Sequence, residues 1–136
     1  MATDRKTAIE VVDRLYALRS EGDIEGLVAL MTDDFRLETH APTSVMPFAG
    51  QRAGRPAVLE YFEALDKDWA FESYDVRERI VDGDRAAVVS DIRFVYRATG
   101  KVLAVRKVDL IGLRDGRICS FDEHFDSAAA ADCQTP

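Results

Sequence analysis

Three short breaks, Asp82-Gly83-Asp84, Thr99-Gly100 and Asp115-Gly116, cut the second half of the chain into strand-length runs at about 71–81, 85–97, 102–113 and 117–126. Apolar runs joined by Gly-containing turns read as an antiparallel meander. A meander leaves one apolar face that another layer must cover. The cover lies upstream. Thr3 or Asp4 can cap a first helix carrying Ala8, Val11, Val12, Leu15 and Leu18 at helical spacing, and Gly22 ends it. Asp23 caps a short second helix with Leu27, Leu30 and Met31, and Phe35 to Thr39 reads as a strand. His40 to Gly54 reads as a loop broken by Pro42, Pro47, Gly50 and Gly54. Pro56 suits the first turn of a third helix presenting Val58, Leu59, Phe62 and Leu65. The expectation is one α+β domain over 1–136, a curved, mostly antiparallel sheet wrapped around helices, with 128–136 a loose tail.

Bulk properties narrow the function classes. A net charge of −7 without a basic cluster disfavours nucleic acid and acidic membranes as partners. No run approaches the ~20 apolar residues that span a bilayer. The opening Met-Ala-Thr-Asp-Arg-Lys lacks the apolar core of a signal peptide, so a cytoplasmic location is the expectation. Cys119 lies mid-strand and Cys133 in the tail, which argues against a disulfide framework. Neither phosphate-cradling glycine motif is present, no Ser or Cys has a nucleophile's neighbours, and no cofactor is expected. His40 and His124 are expected on opposite faces, hence no metal.

The last hairpin concentrates the chemistry. Side chains alternate faces along a strand, so Cys119, Phe121, Glu123 and Phe125 share the apolar face, with Glu123 its lone acid. A bulged turn with left-handed Gly116 sets Ile111 opposite Phe121 and Asp109 opposite Glu123. A two-residue turn at Thr99-Gly100 sets Ile92 opposite Lys107, Phe94 opposite Val105 and Ser90 opposite Asp109. Lys107 then joins both acids on the inner face. Facing carboxylates in a low-dielectric cavity cannot both ionise cheaply. One reading makes Glu123 the base and a protonated Asp109 the hydrogen-bond donor, with Lys107 pairing with Asp109 or orienting a ligand. The other makes the three a solvated polar cluster at the rim. His40, at the end of the early strand, is a candidate proton shuttle at the pocket mouth. Met46 and Phe48, apolar in a loop, are candidates to cap a hydrophobic ligand, and Phe94, Phe121 and Phe125 to line its site. Tyr16, Tyr61, Trp69, Phe71 and Tyr74 read first as core, with Tyr16 also a candidate ligand contact. The acid/base reading calls for a cavity of a few hundred Å3.

Val12-Asp-Arg-Leu-Tyr-Ala-Leu18, the stretch Glu21 to Phe35, Pro47-Phe-Ala-Gly50 with Gly54, Asp115-Gly-Arg-Ile118 and Glu123-His-Phe-Asp126 together resemble the steroid delta-isomerase and SnoaL-like polyketide cyclase group, within the nuclear transport factor 2-like superfamily. The resemblance runs from Thr7 to Ser127. It implies a cone-like sheet with an internal pocket, a homodimer, and a small hydrophobic carbonyl compound as partner. The isomerase tyrosine falls on Leu15, beside Tyr16, and the isomerase base on Thr39, beside His40; only the second acid is matched, by Asp109. Of the limonene-epoxide hydrolase set, the arginine falls on Ser90 and one aspartate on Ile92. The other falls on Glu123. The cyclase final-strand acid also falls on Glu123, with glutamate in place of aspartate. The resemblance therefore implies acid/base isomerase or cyclase chemistry through Glu123, or a non-catalytic ligand-binding or association domain on the same scaffold.

Overall fold

The computed structural model describes residues 3–136. Met1 and Ala2, part of the start read above as lacking a leader's apolar core, lie outside the described residues. Four helices and six strands follow in the order α1 (Arg5–Glu21), α2 (Ile24–Ala29), β1 (Met31–His40), β2 (Gly50–Ala53), α3 (Arg55–Asp68), β3 (Trp69–Asp82), β4 (Arg85–Tyr96), β5 (Val102–Arg114), β6 (Arg117–Phe125) and α4 (Ser127–Gln134). The caps are local and readable. Asp4 accepts the Thr7 amide at 2.8 Å, Asp23 accepts that of Gly26 at 2.9 Å, and left-handed Gly22 closes α1.

All six strands join one curved sheet in the order β2-β1-β6-β5-β4-β3. Every neighbouring pair is antiparallel except β1 and β6, which run parallel with Thr39 opposite Glu123 and His40 opposite His124. Bulges between Phe71 and Ser73 and between Val76 and Glu78 interrupt the pairing of β3 with β4, and bulges bend a strand and sharpen its twist. Helices cover the concave side. One buried cluster joins α1 and α2 to the sheet through Val12, Leu15, Leu18, Leu27, Phe35 and Ile111. A second gathers Met46, Phe48, Leu65, Trp69, Ile92 and Phe94. Tyr61 and Tyr74 pack against both.

Several expectations need correction. Arg97–Gly100 forms a four-residue connection closed by Tyr96 and Lys101, not a two-residue turn, so β5 slides by two. Ile92 thus faces Val105, Phe94 faces Leu103 and Ser90 faces Lys107. A slip of two leaves every side chain on its original face, so the inner face is unchanged. At Asp115-Gly116 both residues have positive φ, the two-residue turn matching strand twist. The bulge sits farther along β6 instead, between Ile118 and Ser120. It makes Ile118 the buried residue where Cys119 was expected, while Asp109 still meets Glu123. His40 and His124, paired on adjacent parallel strands, stack with ring centres 4.0 Å apart on one face. Residues beyond Phe125 do not fray. They form α4, capped by Asp126 and seated by Ala130 and Cys133, both buried, and by Gln134 donating to the Val45 carbonyl at 2.7 Å.

Candidate functional site

Three charged side chains meet where the two apolar clusters join. Lys107 on β5 puts Nζ 2.7 Å from Glu123 Oε2 and 3.2 Å from Asp109 Oδ1. Alternation sends residues 107 and 109 to the same face, and the β5–β6 register brings Glu123 beside Asp109. All three are buried, Asp109 completely. Glu123 accepts from Thr39 Oγ1 at 2.6 Å and from the Tyr61 hydroxyl at 2.8 and 3.1 Å. Asp109 Oδ2 accepts from the hydroxyls of Tyr16 at 2.6 Å and Tyr74 at 2.9 Å, while Tyr74 accepts from Lys107 Nζ at 2.8 Å. Six elements supply this network: α1, β1, α3, β3, β5 and β6.

The two acids differ in what surrounds them. Burial disfavours ionisation of Glu123, yet the Lys107 ammonium, with hydrogen bonds from Lys107, Thr39 and Tyr61, outweighs it and holds the carboxyl below the usual range. Burial dominates at Asp109, with the Glu123 charge adding to it against the pull of Lys107 and the tyrosines, so its pKa is raised. Burial also opposes the charge on Lys107, but the flanking Asp109 and Glu123 more than restore it and raise its pKa. One buried cation beside two buried acids is best neutralised when one acid keeps its proton. Of the two, Asp109 is the acid drawn toward its neutral form. Tyr16, Tyr61 and Tyr74 have raised pKa values, burial being the largest cause, and remain hydrogen-bond donors.

Two hollows open on this cluster. One, of about 50 Å3, is walled by Leu15, Leu27, Phe35, Val58, Phe62 and Phe121; the other, of about 40 Å3, by Met46, Phe48, Trp69, Phe94, Leu103 and Phe125. Arg19, Tyr61, Tyr74, Lys107 and Glu123 line both, and Tyr16 lines the first. Each holds a few waters' worth of space, well below the few hundred Å3 expected. Glu123 and Lys107 thus face the hollows, and Met46, Phe48, Phe94, Phe121, Phe125 and Tyr16 line them. Asp109 lines neither; it sits under Tyr16 and Tyr74, holding their hydroxyls. His40 is elsewhere. Its inward neighbour Thr39 bonds Glu123, so His40 points to the other side of the sheet, with Nδ1 3.6 Å from Glu38 and Nε2 3.7 Å from Asp122. Potential ligand atoms of Glu38, His40 and Asp122 lie within 4.8 Å of one another there. Glu38 and Asp122, both half-buried, thus flank the two ring nitrogens of exposed His40.

Sequence reasoning underrated Thr39, Tyr61 and Tyr74 and missed Arg19. Arg19 carries the one available signal: it lies three and four residues beyond Tyr16 and Leu15, on the buried stripe of α1.

The sheet and its helical cover make up the fold of solved NTF2-like proteins. Among solved structures, an NTF2-like protein from Burkholderia pseudomallei superposes with a TM-score of 0.89 at 22% identity, covering 96% of this chain and 98% of that one. TerC co-crystallised with polyporic acid gives 0.82 at 22% identity, covering 93% and 97%. A protein of ketosteroid isomerase-like fold from Catenulispora acidiphila, in complex with trimethylamine, gives 0.79 at 16% identity, covering 93% and 94%. No curated protein matches the sequence. The SnoaL-like domain family model matches residues 12–121, and the chain belongs to that family. Among the described residues, no helix is long and apolar enough to cross a membrane.

Proposed function

We propose that this protein binds a small hydrophobic carbonyl compound in the hollows around Glu123 and moves a proton on it, as an isomerase or cyclase would. The observation that carries the reading is a buried carboxylate, 2.7 Å from the Lys107 ammonium, that faces an apolar hollow. Glu123 would take the proton alpha to the carbonyl. Lys107 and the Tyr61 hydroxyl, both within hydrogen-bond distance of Glu123, would donate to the enolate oxygen that forms. Asp109 acts through Tyr16 and Tyr74, fixing their hydroxyls, and so is a positioning residue. Met46 and Phe48 cover the apolar body of the ligand, and Phe94, Phe121 and Phe125 flank it. Two structural neighbours were crystallised with small molecules, polyporic acid and trimethylamine, which supports a small molecule as the ligand.

A second reading rests on the three donors that hold Glu123. Hydrogen bonds to the charged form weaken a carboxylate as a base, and the hollows are small. Both features favour a non-catalytic ligand-binding domain. Deuterium exchange at the alpha carbon of small ketones in D2O, followed by proton NMR, separates the two. The acid/base reading expects exchange above the buffer rate that is lost in Glu123→Gln. Exchange at the buffer rate in the wild type, with ketone binding retained, leaves the binding domain.

A further inference from the structure

Arg19 lines both hollows and takes no part in the network around Glu123. It stands in the last turn of α1, its guanidinium carbon 4.6 Å from the centre of the Phe71 ring, 4.8 Å from Phe62 and 5.9 Å from Phe94. Ring faces stabilise a cation electrostatically, but they leave its directional N–H groups unused. Nη2 is sealed from solvent without a hydrogen-bond partner, and Arg19 forms no ion pair among the described residues. A buried donor on a charged group is costly to leave unsatisfied, and such cases are rare in folded proteins. The charge balance points the same way. Lys107 has two carboxylates within 3.2 Å, whereas Arg19 faces the same apolar space set among the rings of Phe62, Phe71 and Phe94.

Guanidinium groups present paired donors in a fixed plane, a shape that fits a carboxylate or an ionised enol oxygen. We propose that Arg19 anchors an anionic oxygen of the ligand, so that the hollows select a small organic acid, a carboxylate or an ionised enol on an apolar or aromatic body, over a neutral ketone. This rests on the ligand-binding reading above and names the class of molecule bound. The anchor holds the charged end of the ligand at the Arg19 side and leaves its carbon skeleton against Glu123 and Lys107. It also offsets the repulsion that Glu123 exerts on an anion.

The test compares benzoate with benzamide, equal in size and differing in charge, by calorimetric titration and by the fluorescence of Trp69, which lines the second hollow. Wild-type protein is expected to bind benzoate about tenfold or more tightly than benzamide, the worth of one charge-assisted hydrogen bond. Arg19→Met should erase the preference while still binding benzamide, and Arg19→Lys should keep part of it. Arg19→Gln serves as the neutral variant if the methionine chain does not fold. Equal binding of the two probes by the wild type overturns the anchor and leaves ligand binding intact. A benzoate preference that persists in the neutral variants also overturns it. Binding of neither probe overturns the anchor and the ligand-binding reading together.

Discussion

Lys107→Met isolates what one ammonium does between two buried acids. Nζ lies 2.7 Å from one carboxylate oxygen and 3.2 Å from another. At an effective dielectric of ~20 these contacts correspond to about 6 and 5 kcal/mol of attraction before desolvation. Burying the ammonium offsets much of that, and removing one partner of such a group costs about 3–5 kcal/mol, because charge is left uncompensated. Methionine keeps the volume, so little of the loss is packing. Without the cation, Asp109 rises further and Glu123 rises too. Acids with folded pKa values above their unfolded ones bind more protons when folded, so stability falls as pH rises past the unfolded carboxylate range near 4. Urea denaturation followed by Trp69, the sole tryptophan and fully buried, reads the result. The variant should be about 3–5 kcal/mol less stable than wild type at pH 8, with most of the deficit recovered near pH 4.5. An equal deficit at both pH values would refute the electrostatic account, as would a deficit below about 1 kcal/mol at pH 8.

The two acids should titrate apart in carbon-13 NMR, Glu123 below its ordinary 4.5 and Asp109 above its ordinary 3.8. By linkage, Glu123 contributes stability above its unfolded pKa that is lost as pH falls through its folded one. Asp109 has the opposite sign, costing stability as pH rises from 3.8 through its folded pKa. Tyr61→Phe removes the hydroxyl at 2.8 and 3.1 Å from Glu123 and should raise the pKa of that acid in the same titration, since a hydrogen bond to the charged form is lost. An unmoved Glu123 resonance would show that the hydroxyl does not hold the charged form. Ala130→Asp puts an unpaired charge at a fully buried position of α4 and should lower the melting temperature by several degrees, whereas a freely fraying tail would tolerate it.

What could be read in advance was governed by how locally each feature is encoded. Asp115-Gly116 and strand alternation suffice to pair Asp109 with Glu123, since a hairpin register depends on a turn a few residues away. The Thr99-Gly100 connection was placed two residues short, an error that parity absorbs. By contrast, pairing β1 with β6 joins segments some eighty residues apart, with no turn between them to announce it. That unannounced pairing put His40 on the outer face beside His124 and put Thr39 against Glu123. Arg19 was hidden for a different reason: an arginine in a last helical turn reads as a solvated complement to the helix dipole. Only the aromatic rings from α3, β3 and β4 reveal that it is half buried.

The carboxyl-terminal strand does not sit at the margin of the sheet. It slots between the first strand and the fifth, and the bonds made there bridge 84 residues from Thr39 to Glu123 and 62 from Tyr61. Such distant closures are slow to form and follow the local hairpins. Until β6 is in place, Lys107 and Asp109 on β5 have neither Glu123 beside them nor its links to Thr39 and Tyr61. The buried charged cluster is completed by the same pairing that knits the first strand to the last.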